Sequence, residues 1–164
     1  MTAPIDAASF RSAMARFPGA VTIVTALAGT ERRGITATAV CSVTADPPSL
    51  LVCLNRATGT CAAVLASGLY NVNLLAGGND AMARRFAGMG GVTGEDKFAT
   101  GNWHPDARGL PLLTGALLGL SCEVTKATEA GSHMIFIGRI VAVVHNDGPA
   151  LIYQHAGFHR LEHP

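Results

Sequence analysis

One stretch, from Gly34 to Thr60, constrains the fold of this chain more than any other: GITATAVCSVTADPPSLLVCLNRATGT. Successive side chains of a strand point to opposite faces, so the stretch is interpreted at period two. One face is small and apolar and is expected to pack on a core. The other is rich in hydroxyl groups, so a large flat ligand can lie against it. Asp46-Pro47-Pro48 then forces a turn. The apolar set is Ile35, Ala37, Ala39, Cys41 and Val43, and the opposite set is Thr36, Thr38, Val40, Ser42 and Thr44.

The end of this stretch has the features of an anion site. Leu50–Leu54 is a short apolar run, typical of a buried strand, and it leads to a helix expected to begin at Cys61. A helix N-terminus attracts anions, and Thr58 and Thr60 can cap it. Arg56 carries donors that match phosphate oxygens. These features predict a ligand with a flat ring at one end and a phosphate at the other. A hairpin with a capped helix and a solvated arginine explains the spacing equally well.

Composition indicates one domain, residues 1–164, that associates with other copies of itself. The length of 164 residues suits a single domain with a proper core. Charged residues make up only 14% of the chain and hydrophobic residues 49%, whereas the usual charged share is about a quarter. Because a small domain has much surface, this deficit predicts that some surface is buried in a homo-oligomer. A net charge of +1 without blocks of like charge argues against nucleic acid or an anionic membrane as a partner.

Targeting and metal signals are weak in this sequence. The N-terminal MTAPIDAASF lacks a basic region followed by an apolar run, so no signal peptide is expected. No apolar stretch has the length of a membrane span, and a cytoplasmic location fits. The four cysteines form no CxxC motif, so metal and disulfide roles are improbable. His155 and His159 are four residues apart, but Gly157 lies between them and no acidic or cysteine ligand is near, so no metal site is expected.

The remaining elements predict a mainly β protein. Many strands, few short helices and no strand–helix alternation favour an antiparallel barrel over a parallel α/β sheet. The strand His133–His145 is apolar on both faces, so most of it is expected to be buried. The glycine-rich connection Gly88–Thr114 suits an active-site rim or a mobile surface loop. The other predicted elements are helices at Asp6–Phe17, from Cys61 to Ala66 and from Asn79 or Asp80 to Phe86, and strands at Ala20–Ala28, Leu69–Leu75, Leu117–Thr125 and Ala150–Tyr153, with a polar turn at Gly29–Arg33.

Six pieces of the sequence carry a family resemblance, in order and over nearly the whole chain: GITATAVCSVTADPP, LLVCLNR, ARRFAG, DKF, GSHMIFIGRI and LIYQHAGFHRL. Together they resemble the short-chain flavin reductases, the reductase components of two-component flavin-dependent monooxygenases. The 4-hydroxyphenylacetate 3-monooxygenase reductase is one type. The resemblance implies an antiparallel FMN-binding split β-barrel of Greek-key type with a few short helices. It also implies a homodimer with flavin near the subunit interface.

The resemblance implies a flavin site, position by position. The segment that lies along the isoalloxazine ring in the family corresponds to Thr36, Ala37 and Thr38. The segment that meets the polar edge of the ring corresponds to Ser42, Val43 and Thr44. The ribityl and phosphate contacts correspond to Asn55, Arg56 and Thr58, and a further flavin contact corresponds to Arg85 and Phe86. Thr38 and Thr58 depart mildly from the family pattern, but both keep a short polar side chain.

His133 lies in GSHMIFIG, where the family usually has a GDH motif and places the histidine near the nicotinamide of the donor. Ser132 replaces the common aspartate, which weakens the case for a carboxylate that orients this histidine. A strand-end histidine that is merely solvated remains the alternative.

The resemblance implies an NAD(P)H:flavin oxidoreductase that supplies reduced flavin to a separate oxygenase. Hydride passes from C4 of NADH or NADPH to N5 of FMN or FAD, so the protein mainly positions the rings and stabilises developing charge. Two alternatives stay open: a reductase of another acceptor, such as a cobalt corrinoid, and a flavin-binding module without turnover. The sequence does not decide which oxygenase is the partner, whether the donor is NADH or NADPH, or whether the flavin is FMN or FAD. It also leaves open whether the flavin is a prosthetic group or a substrate.

Overall fold

Strands dominate the computed structural model, which describes residues 3–161. The helices are α1 (Ala7–Met14), α2 (Gly59–Ser67) and α3 (Asp80–Phe86), and short 3-10 helices cover Met89–Gly91 and Gly94–Ala99. The strands are β1 (Gly19–Ala20), β2 (Thr22–Ala28), β3 (Glu31–Ala37), β4 (Val40–Ala45), β5 (Pro48–Asn55), β6 (Leu69–Leu74), β7 (Trp103–Pro105), β8 (Pro111–Leu113), β9 (Leu118–Ala130), β10 (His133–His145), β11 (Ala150–Gln154) and β12 (Gly157–Leu161). No helix within the described range is long and apolar enough to span a membrane.

A seven-stranded antiparallel sheet in the order β3-β2-β6-β9-β10-β5-β4 forms the body of the protein. Strands β3 and β4 are its opposite edges, yet only Thr38 and Ala39 join them. A flat sheet of this size measures about 29 Å across at about 4.8 Å per strand, whereas the connection spans at most about 11 Å. The sheet therefore curls until its two edges meet at Thr38–Ala39, which confirms the predicted mainly antiparallel fold. We call this junction the split.

Two apolar clusters occupy opposite faces of β2. Val24 and Ala26 pack with α2 and the inner faces of β5, β6, β9 and β10. Val21 and Ile23, at the other face, pack with α3, Phe98 and Leu151. The glycine-rich connection predicted over Gly88–Thr114 contributes Phe98 and Leu113 to this second cluster. The segment is therefore anchored in the core at these residues, while most of its other residues are exposed.

The period-two interpretation of the central stretch is wrong beyond Ala37. Ile35 and Ala37 pack on the barrel core as predicted, but Val40 is the next residue to do so. Cys41 is exposed, and the side chain of Val43 is 46% exposed. The reason is local: Val40 N donates to Thr38 O at 3.0 Å, so the chain bends at the split and its alternation is reset by one residue.

The prediction that most of β10 is buried is also wrong. Its first half packs in the barrel, but Val141, Val143 and Val144 in its second half are 44%, 54% and 53% exposed. Helix α1 ends earlier than predicted, and Phe10 and Met14 on its apolar stripe are exposed. The stripe of a surface helix normally faces a core. Exposed apolar surface therefore remains on both the helix and the sheet.

Several element boundaries differ from the predictions. The predicted polar turn at Gly29–Arg33 is shorter, because β3 already begins at Glu31 and pairs back on β2. Strand β9 continues to Ala130 and forms a long hairpin with β10. Strand β12 was not predicted, and it pairs with β11 around positive-φ turn residues at 155 and 156. The turn at Asp46-Pro47 is present, with a cis peptide bond.

Candidate functional site

The split places the first predicted ligand segment beside α3. Ala37 faces the barrel core. Thr36 Oγ1 donates to the carbonyl of Ala83 at 2.6 Å, so this hydroxyl ties β3 to α3. Thr38 follows with an exposed side chain. The two threonines line a cavity of about 390 Å³ together with Ala83, Arg84, Ala87, Met89, Tyr153, Ala156 and Phe158.

The second predicted segment lies at a bulge in the edge strand β4. The β4–β5 register shifts between Ser42 and Thr44, so Val43 is outside the ladder. Such bulges re-aim side chains. The hydroxyl of Thr44 is engaged in the turn, since it accepts from Asp46 N and donates to Asp46 O, both at 3.1 Å. Ser42 is exposed. The segment lies roughly 10–15 Å along β4 from the split at about 3.3 Å per residue.

The connection from β5 to α2 forms a tight polar turn. Asn55 Oδ1 accepts from Ala57 N at 2.9 Å, and Asn55 O accepts from Thr58 Oγ1 at 2.7 Å. Thr58 Oγ1 accepts from Cys61 N at 3.2 Å and is the N-cap, as predicted. Thr60 is not a cap, because it lies within the first turn of the helix and is buried. The helix N-terminus and its free donors are therefore held next to Asn55.

Arg56 is half exposed at this connection and has an acidic partner that the sequence analysis missed. Its Nη1 lies 3.1 Å from Glu129 Oε2, with the two side chains 47% and 65% exposed. Its backbone N donates to Ser132 O at 3.0 Å. The end of β9 and the turn to β10 thus hold the side chain and the backbone of Arg56, respectively. Only the fold brings Glu129, more than 70 positions along the chain, to this arginine.

Two further cations lie near the same helix end and were not predicted. A pocket lined by Thr58, Gly59 and Thr60 also contains Arg33 and Lys97. A Cβ on Gly59 would lie 3.3 Å from the Arg33 side chain, so the helix and the arginine approach closely. Lys97 Nζ donates to Gly34 O at 3.1 Å and Phe86 O at 2.9 Å, and burial lowers the pKa of Lys97. Two cationic side chains therefore lie beside the α2 N-terminus, and Arg33 is also paired with Glu31.

Arg85 and Phe86 lie on the α3 side of β3 and hold the following segment in place. Arg85 Nε donates to Lys97 O at 3.0 Å, and its Nη2 donates to Asp96 O. The ring of Phe86 is fully buried and packs edge-on against Phe98 at 5.0 Å between centroids. The Phe86 side chain therefore supports the site from within the core. A flavin contact by either residue stays a prediction.

His133 is the first residue of β10 and stands opposite Asn55 of β5. The hydroxyl of Ser132 lies 2.9 Å from His133 Nδ1. One strand further, Ala39 O accepts from Cys53 N at 3.0 Å, which sets the split beside the end of β5. The structure therefore brings together the split, the polar turn at Asn55 and His133 along one end of three neighbouring strands.

The donor set fits a phosphate-bearing flavin. The exposed hydroxyl group of Thr38 is suited to contact along a planar ring, that of Ser42 to a hydrogen bond with the polar edge of the ring, and the guanidinium of Arg56 to a phosphate. A helix N-terminus adds favourable electrostatics for an anion. Ser42 lies further along β4 than the split, Arg85 is bonded to the carbonyls of Asp96 and Lys97, and the ring of Phe86 is buried.

The curled antiparallel sheet, its split and the polar end of β5 are the features expected of a flavin-binding split barrel. The sequence matches the Flavin reductase like domain over residues 14–162, and the chain belongs to that family.

Named relatives agree with this assignment. The FMN reductase (NADH) RutF of Ancylobacter novellus is 42% identical, over 96% of this chain and 86% of that protein. The 4-hydroxyphenylacetate 3-monooxygenase reductase component of Pseudomonas aeruginosa is 40% identical, over 95% and 92%. The structure of the Streptomyces globisporus NADH:FAD oxidoreductase with NAD and FAD fragments superposes with a TM-score of 0.89 at 29% identity, over 99% of this chain and 96% of that one.

Proposed function

We propose that this protein is an NADH-dependent flavin reductase that reduces FMN or FAD and supplies the reduced flavin to a separate oxygenase. The pairing of Asn55 with His133 carries the proposal, since it sets a phosphate-suited turn beside a histidine-bearing strand end. Relatives named as NADH-dependent FMN reductases support a reductase over a passive flavin-binding module. The same relatives also favour flavin over a corrinoid as the electron acceptor.

The residues of the site bind and orient the two reactants. Thr38 would lie along the flavin ring, Ser42 would donate a hydrogen bond to its polar edge, and Arg56 would balance the charge of the phosphate. His133, held by the Ser132 hydroxyl, orients the nicotinamide end of the donor. The bound flavin supplies the hydride acceptor, so the protein needs neither a nucleophile nor a pair of catalytic carboxylates. Close positioning of two planar rings is then the main contribution of the protein to the rate.

We further propose that the protein is a homodimer whose flavin site lies near the subunit interface. Exposed apolar side chains on α1 and on the second half of β10 support this arrangement: Phe10, Met14, Val141, Val143 and Val144. Exposed apolar side chains grouped on one element are typical of association sites. The edge strand β4, which carries Ser42, is also largely exposed.

The partner we propose is the oxygenase component of a two-component system, and the location is the cytoplasm. Relatives named as reductase components of such systems support the partner. Four free thiols suit a reducing compartment.

Anaerobic mixing of the flavin-loaded protein with NADH tests the proposal. The visible absorption band of the flavin should bleach within seconds, and free FMN or FAD should then be reduced in repeated turnovers. Mixing with NADPH at the same concentration should give a slower bleach. A flavin band that persists for minutes with both donors would exclude the reductase and leave a binding module.

A further inference from the structure

We propose that Glu129 sets how tightly the flavin phosphate is held, because its carboxylate competes with the phosphate for the guanidinium of Arg56. This inference rests on the proposed function, since it takes Arg56 as the phosphate contact. Glu129 is thus a specificity-determining residue that acts through Arg56. It favours exchange of the flavin by weakening the hold on its phosphate modestly.

Three neighbouring strands fix the geometry of the pair. Glu129 stands opposite Met134 in the β9–β10 hairpin, and Met134 stands opposite Leu54 of β5. Arg56 follows two residues after Leu54, and its backbone N is bonded to Ser132 O at 3.0 Å. The sheet therefore holds the two backbones on either side of β10, within reach for the carboxylate to lie 3.1 Å from Arg56 Nη1.

The pair lowers the affinity for phosphate in two ways. A guanidinium binds an oxyanion best through two parallel N–H donors, and the carboxylate engages one of its terminal nitrogens. The negative charge of Glu129 also repels the phosphate directly. Both side chains are about half exposed or more, so water and salt screen the effect and it is expected to be modest, about twofold to fivefold in the dissociation constant.

The substitution Glu129→Gln keeps the size of the side chain and removes its charge. The dissociation constant for FMN, measured by quenching of flavin fluorescence, should fall about twofold to fivefold. The constant for riboflavin, which lacks the phosphate, should stay the same. Stopped-flow displacement should show slower release of FMN. Rising salt should reduce the difference between the two proteins, because the deleted interaction is a screened charge contact.

The control is Glu123→Gln, which makes the same change of charge on the same strand. Glu123 Oε2 accepts from Arg139 Nη2 at 2.7 Å and lies away from Arg56. It should leave both flavin affinities unchanged. A second comparison uses the Arg56→Gln background, where Glu129→Gln should no longer tighten FMN binding, because the shared guanidinium is gone.

Each outcome decides the proposal. Unchanged FMN affinity in Glu129→Gln, an equal gain for riboflavin, or a gain that persists without Arg56 would each overturn it. Failure of the proposed function looks different: the parent protein would then neither bind FMN nor oxidise NADH with it, whatever residue stands at position 129.

Discussion

Asn55 and His133 stand directly opposite each other in the ladder between β5 and β10. Residues paired in this way have their Cα atoms about 4.5–5.5 Å apart. The turn that we assign to the flavin phosphate and the histidine that we assign to the donor are therefore parts of one rigid unit. The two roles can still be separated by substitution, because the contacts of Asn55 are made within its own turn.

The variant His133→Ala should lower the rate of flavin reduction by NADH and leave flavin affinity within a few-fold of the parent. The substitution removes only the imidazole. The proposed phosphate site at residues 55–58, which we call the phosphate corner, is shaped by the hydrogen bond from Thr58 Oγ1 to Asn55 O, and the imidazole takes no part in that bond. Single-turnover reduction under anaerobic conditions measures the rate, and equilibrium titration measures the affinity. Collapse of flavin affinity with normal hydride transfer in the bound fraction would contradict the assigned role.

The variant Arg56→Ala should weaken binding of FMN and leave binding of riboflavin nearly unchanged. A charge-assisted contact contributes about 1.5–3 kcal/mol when well formed. Arg56 is 47% exposed and shared with Glu129, so we expect about 1 kcal/mol, or roughly fivefold in affinity. Titration of both flavins against both proteins checks this.

The matched control for Arg56→Ala is Arg139→Ala. Arg139 is 52% exposed and also carries an ion pair to a glutamate on β9, but it is remote from the phosphate corner. The variant Arg139→Ala should leave the affinities for both FMN and riboflavin unchanged. Equal losses for FMN and riboflavin in Arg56→Ala would mean that Arg56 supports the ring or the fold. Arg33 and Lys97 would then be the cations to test.

The protein should be a dimer at micromolar concentration. The exposed Phe10 and Met14 on α1 and the valines of β10 supply apolar surface that a monomer would leave in water. Light scattering measures the mass, and the variant Val143→Lys should shift the mass towards the monomer. A parent protein that scatters as a monomer would remove both the dimer and a flavin site at its interface.

The variant Asp106→Asn should destabilise the protein by about 1–3 kcal/mol, measured by urea unfolding at neutral pH. The buried carboxylate accepts from Leu110 N, Arg108 N and Ser121 Oγ at 2.8–2.9 Å and ties the segment before β8 to β9. Asp147→Asn, an exposed position, gives the same charge change and should have little effect.

The pH dependence of this effect has a definite sign. Burial raises the pKa of Asp106, but the donors from Leu110, Ser121 and Arg108 outweigh burial and lower the pKa below its ordinary value of 3.8. A lowered folded-state pKa contributes stability above the unfolded value that disappears as pH falls through the folded one. The difference in the free energy of unfolding between the parent and Asp106→Asn should be constant from about pH 5 to 8 and should shrink below about pH 4. A constant difference at all pH values would contradict this assignment.

The sequence predicted the order and type of most elements, because hydrophobic alternation and proline turns are local signals. It failed where tertiary geometry resets a local pattern. The bend at Thr38–Ala39 turns Val40 towards the core and Cys41 towards solvent, the reverse of the predicted pattern. Strand β10 is apolar on both faces, which predicts burial, but Val141, Val143 and Val144 in its second half remain 44–54% exposed.

The sequence predicted which residues form the candidate site, but it did not predict which residues contact each other there. Thr58 is the expected cap, since an N-cap depends only on its own helix. The partners of Arg56 and the roles of Arg33 and Lys97 depend on which strands become neighbours, and no local spacing reports that. Phe86 was predicted as a flavin contact from its motif, but the structure packs its ring in the core.

The order of strands in the large sheet also governs when this protein can finish folding. Strand β5 lies between β4 and β10, and β10 begins only at His133, well after β5 ends at Asn55. A chain emerging from the ribosome therefore holds the β4–β5 hairpin with one side unpaired until its last fifth is synthesised. Such non-local pairing slows folding and exposes strand edges in the meantime. Truncation before β10 should thus yield an aggregating fragment and not a smaller flavin-binding unit.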